Sequence, residues 1–75
     1  MVTPEQLKAW IEAGFDNADV RVEGDGHHFE AVIVAKEFVG KSRIARHQLV
    51  YAALGDKMKA EVHALSMKTL TPQEQ

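Results

Sequence analysis

The chain has no cysteine among its 75 residues. It can therefore build neither a disulfide nor a thiolate metal site by itself, and the lack fits a reducing compartment. No apolar run approaches the roughly 20 residues that a membrane helix needs. The opening residues, MVTPEQLKAW, lack the charged region and apolar stretch of a secretory signal. The expected location is the cytoplasm, with no membrane partner. Basic residues are not in excess either. A net charge of −2 does not suggest a protein built around nucleic acid. There is no Gly-rich phosphate loop and no local Ser-His-carboxylate motif. Gly24-x-Gly26 reads as a turn, since no helix follows it, and the carboxylates are scattered. These absences remove the common catalytic constellations, and the chain reads as a binding module, not an enzyme.

What is present describes one small globule. A hydrophobic content of 45% with 27% charged residues argues against disorder. The length makes a single domain, 1–75, with a thin stability margin, because a chain this small buries only about 60% of its unfolded surface. Repeats, low-complexity stretches and linkers are absent.

Thr3-Pro4-Glu5-Gln6 predicts a helix start: Thr3 caps, Pro4 suits the first helical position, and Gln6 completes a capping box. Leu7, Trp10, Ile11 and Phe15 then form one apolar stripe, with Trp10 as its expected anchor and Gly14 as the stop. Asp19–Glu23 alternates as a half-buried strand, Gly24-Asp25-Gly26 turns, and Phe29–Ala35 is a β-branched run that reads as the central strand. Ser42 caps a second helix reaching about Leu54, closed by Gly55. Its apolar residues spread round the wheel and define no single face. Residues 56–60 suit one further turn, Val62–Lys68 a third strand, and Thr71-Pro72-Gln73-Glu74 another helix start. The order αββααβ gives an α+β domain: a three-stranded mixed sheet with helices on one face, its hairpin antiparallel and its last strand free to pair parallel.

Histidines and one basic stretch are the candidate chemistry. His27 and His28 fall at the hairpin loop, His63 at the start of the third strand, and His47 inside the second helix. Imidazole is a common metal ligand, yet three such residues are too few to close a site unaided; solvated or hydrogen-bonded histidine is the plainer reading. Lys41, Arg43, Arg46 and His47 open the second helix, where positive charge invites an anion such as a nucleic-acid phosphate. Trp10 and Phe15 read as core, so Phe29, Phe38 and Tyr51 are the aromatics left for stacking, and base readout is not supported.

The stretch FVGKSRIARHQLVYAAL, residues 38–54, resembles the F-x-G-x-S-R-x-x-R-H-x-x-V-Y-x-x-L signature of BolA proteins. VHALSMK, residues 62–68, followed by Thr71-Pro72, resembles that family's closing strand. Gly24-Asp-Gly-His-His-Phe29 resembles the hairpin of its short, acid-stress-associated (IbaG-type) bacterial branch. The resemblance covers nearly the whole chain. It implies a fold similar to a class II KH domain without the Gly-x-x-Gly loop. It further implies a monothiol glutaredoxin as partner, with a [2Fe–2S] cluster shared between the two proteins and glutathione. The chain alone is expected to be a monomer or weak homodimer. In that role His63 is a cluster ligand and the second ligand maps onto His27 or His28; if His28 is structural, His27 is the free one. The alternative role is a DNA-binding transcriptional regulator using the basic stretch. Clusters need thiolates, so the missing cysteines require a partner and do not count against the first role.

Overall fold

The computed structural model describes residues 1–59 and 64–75. Helix α1 spans Pro4–Ala13, and its start is the expected capping box: Gln6 N–H donates to Thr3 Oγ1 at 3.1 Å, and Thr3 N–H donates to Gln6 Oε1 at 3.0 Å. Strands β1 (Asp19–Gly24) and β2 (Phe29–Val34) pair antiparallel as a hairpin. One turn of 3-10 helix, Lys36–Phe38, leads to α2, Arg43–Leu54, capped by the Ser42 hydroxyl on Ala45 N–H. Strand β3, Leu65–Leu70, runs parallel to β2. The sheet order is β1-β2-β3, so the apolar run takes the central place that its composition predicted.

Both helices lie on one face of the sheet. Alternation sends Val20, Phe29, Ala31, Ile33 and Leu65 inward to meet Leu7 and Ile11 of α1 and Val50 and Leu54 of α2. The other face carries Asp19, Arg21, Glu23, Glu30, Ser66 and Lys68, all exposed. Two carboxylates, Glu23 and Glu30, stand directly opposite each other there.

Four local expectations change. Trp10 and Phe15 pack against the core but are only partly buried, while Leu7 and Ile11 are wholly enclosed; the stripe is real, but its anchor is the aliphatic pair. Gly14 does close α1, yet its φ of −91° is open to any residue. Glycine is needed for spacing, because a Cβ there would sit 2.3 Å from the Ala53 Cβ of α2. Residues 56–59 form hydrogen-bonded turns, not a helix, and strand β3 extends to Leu70, beyond the Lys68 expected from alternation. Residues 60 to 63, including the expected strand start at Val62, lie outside the described residues.

Ile44, 72% exposed, and Tyr51, 41% exposed, occupy the outer side of α2, which explains why that helix showed no single apolar face.

A domain of this size has about 4–11 kcal/mol of stability, at roughly 0.05–0.15 per residue. Ile11→Ala should remove about 2–5 kcal/mol of it, and Trp10→Ala less than Ile11→Ala. Urea midpoints of the two variants decide between them; the reverse order would return the anchor to Trp10.

Candidate functional site

The hairpin loop is ordered by one carboxylate. Asp25 Oδ1 accepts the backbone N–H of His27 at 2.8 Å and of His28 at 2.9 Å. Those two donors, His28 first, hold the Asp25 carboxyl below the usual range. Gly26, at φ 91°, supplies the left-handed step that lets the chain turn back on Asp25. With the backbone so held, both imidazoles project to solvent. His28 Nε2 lies 3.4 Å from Ser66 Oγ of β3, whereas His27 has no side-chain hydrogen bond among the described residues.

Parallel pairing gives this loop its neighbour. Phe29 is registered with Leu65, so the residue after the two histidines stands beside the first residue of β3. His63 precedes Leu65 by two positions and lies outside the described residues. Among the described residues no three His, Cys, Asp or Glu side chains converge. His27 and His28 therefore fit part of a ligand set and not a closed site.

The second candidate group, Lys41, Arg43, Arg46 and His47, is divided by the structure. Arg46 is spent internally. Its Nε donates to Lys41 O at 2.9 Å; one terminal nitrogen donates to Thr69 O at 3.1 Å and Glu74 Oε1 at 2.7 Å; the other reaches Glu74 Oε2 at 3.3 Å. Its guanidinium carbon also stands 6.0 Å from the centre of the Phe38 ring. The expected phosphate contact at Arg46 is corrected to a tether, because every nitrogen of the fork already has an acceptor. Lys41 and Arg43 are exposed, and neither has a carboxylate partner among the described residues. His47 is partly buried; burial, then the charge of Arg43, holds its imidazole below the usual range. Of the aromatics left for stacking, Phe29 and Phe38 are wholly buried, which leaves Tyr51.

Sequence reasoning passed over three residues that shape these sites. Asp25 was read as a turn residue, and its Asp-Gly context was the available signal for loop anchoring. Glu74 completes a T-x-x-E pattern: its Oε1 reaches back to Thr71 N–H at 2.7 Å as in a capping box, although a turn forms there and not a helix. Ser66 had no signal at all, since its proximity to His28 depends on the register.

A family model described as BolA-like protein matches residues 3–74. Acid stress protein IbaG of Escherichia coli K12 is 40% identical over 57 residues, which cover 75% of this chain and 68% of that protein. The DNA-binding transcriptional regulator BolA of Vibrio cholerae is 37% identical over 71 residues, covering 95% and 64%. Among solved structures, a bolA protein homologue from Coxiella burnetii superposes with a TM-score of 0.87 at 52% identity, over 99% of this chain and 96% of that one.

The Arg46–Glu74 pair makes stability depend on pH. Arg46, then the Thr71 N–H, lowers the Glu74 carboxyl to about 2 from its usual 4.5. A carboxyl depressed by folding stabilises the fold above its unfolded value, and that contribution is lost as pH falls through the folded one. Glu74→Gln should therefore lower the urea midpoint at pH 7, and the gap from the parent chain should close between pH 4.5 and about 2. A gap that does not change with pH would mean that the ion pair is not its source.

Proposed function

This chain belongs to the BolA-like family, and from that membership we propose that it is a non-catalytic adaptor that docks a monothiol glutaredoxin and shares a [2Fe–2S] cluster with it and with glutathione. The cluster is cargo, passed on in iron–sulfur trafficking and stress response. The observation that carries the reading is the parallel register of Phe29 with Leu65. It sets the loop bearing His27 and His28 beside the strand whose sequence leads in through Val62-His63-Ala64. The donor chemistry agrees: solvent-facing imidazoles without thiolates suit a ligand set completed by the partner's cysteine and by glutathione sulfur.

Within the loop, His27 is the better ligand. Its backbone is fixed by Asp25 while its ring makes no hydrogen bond among the described residues, whereas His28 turns Nε2 toward Ser66. The two residues therefore divide the work, one binding and one bracing the loop against β3. Mixed Cys/His ligation raises the potential of a cluster over an all-thiolate set, which suits a carrier that must hold its cargo in a form the partner alone does not provide.

The regulator reading is the weaker one. It has the name of the Vibrio relative behind it and two exposed cations, Lys41 and Arg43, but Arg46 is engaged within the fold. Its duplex-binding salt slope would lose about 0.9 on Arg43→Ala.

The chain is tested by mixing it with a cluster-loaded monothiol glutaredoxin and recording visible circular dichroism. His63→Ala and His27→Ala should each abolish the signal of the mixed complex and return the glutaredoxin to its own all-thiolate cluster; His28→Ala should keep a weakened signal, and His47→Ala should leave it unchanged. Protons compete with iron for the imidazole lone pair, so sharing should weaken in acid. A spectrum and potential unmoved by His63→Ala would overturn the ligand assignment and advance the regulator.

A further inference from the structure

On the side of the domain away from the fully buried core, a groove of about 450 Å³ opens between the first turns of α2 and strand β3. Besides Arg46, three cations line it: Lys41 and Arg43 at the start of α2, and Lys68 on β3. All three are exposed, and none has a carboxylate within 4.0 Å among the described residues. The floor is mixed, with the half-buried side chains of Met67 and Leu70 beside the enclosed Thr69.

Two charges in the groove already cancel. Arg46 and Glu74 face each other at its base as an ion pair. His47 faces it too, and burial, then the charge of Arg43, holds its imidazole below the usual range. The groove is thus left with three uncompensated positive charges around a space within the range of small-ligand sites. Like charges brought together without counterions repel one another, and an anion relieves all three repulsions at once.

We propose that this groove binds a small phosphate ester, its phosphate oxygens held by Lys41, Arg43 and Lys68 and its organic part lying on Met67 and Leu70. Arginine takes phosphate with a planar fork, whereas the two lysines act as point charges. The lining holds no Phe, Tyr or Trp, and its one ring, the imidazole of His47, is partly buried, so a nucleobase would gain little stacking there and recognition falls on the phosphate and on compactness. Glu74 opposes the ligand. Its carboxylate occupies the Arg46 fork in the manner of a phosphate and adds a negative charge beside the site. The site is distinct from the hairpin loop and does not rest on the cluster reading.

The full-length chain, isotope-labelled and at low ionic strength, is titrated with inorganic phosphate, pyrophosphate, AMP and adenosine, and separately with a single-stranded oligonucleotide. Amide shifts read out each arm. AMP and pyrophosphate should give saturable one-to-one shifts confined to residues 41–47 and 67–70, weakened by added salt, and adenosine should give none. Lys68→Gln and Arg43→Gln should each weaken AMP about 2- to 5-fold, from up to about 1 kcal/mol per exposed charge pair. Glu74→Gln should tighten it by a similar factor; Lys68 makes no ion pair among the described residues, so its variant stays informative if the Glu74 variant unfolds. Three results would overturn the site: shifts that do not saturate, AMP binding unchanged in the lysine and arginine variants, or binding by the oligonucleotide alone, which would make the groove a nucleic-acid surface.

Discussion

One guanidinium holds the lower half of this domain together. Arg46 stands on α2 but satisfies a carbonyl of the preceding loop, a carbonyl of β3 and the carboxylate of Glu74, with the Phe38 ring nearby. The stretch just before α2 and two points near the end of the chain are thereby fixed to one planar group. In so small a domain that substitutes for apolar burial the chain cannot supply. Lysine could not replace it, since a single ammonium lacks the fork that reaches three acceptors in different directions.

The same tether decides what the basic stretch is for. Lys41, Arg43 and Arg46 look equivalent in the sequence, yet one is structural and two face solvent. The distinction depends on Thr69 and Glu74, which lie far along the chain and come near only once β3 is paired. The features that were legible in the sequence were those decided locally: the capping box of α1, the Asp-Gly turn, the β-branched run of β2 and the Ser42 cap. Those that were not depended on tertiary geometry. Trp10 seemed the anchor because it is the largest residue of its stripe, but the angle of α1 on the sheet favours Leu7 and Ile11. Gly14 seemed a conformational stop and proved to be a spacer against Ala53. The loop histidines were legible as candidates, and the Ser66 contact that separates them was not.

The two halves of the sheet face different tasks. The helix-covered side is filled by alternation, whereas the open side is kept polar by charge, including the opposed Glu23 and Glu30. Opposed carboxylates weaken local pairing slightly but discourage the stacking of a second sheet on that face. The hairpin loop lies at one end of this face and touches it through Ser66, and the groove beside α2 reaches it through Lys68.

The pairing of β2 with β3 also carries a cost in time. The hairpin closes on itself through a short loop, but β3 can find β2 only after the chain has passed through the whole of α2. Contacts so distant in sequence close slowly and are held against a larger loss of chain entropy. The pairing that brings the histidine loop to the start of β3 therefore closes the longer loop of chain, and the hairpin with its Asp25 clasp closes the shorter one. Opening the β3 edge alone would uncover Leu65 while leaving β1 and β2 paired.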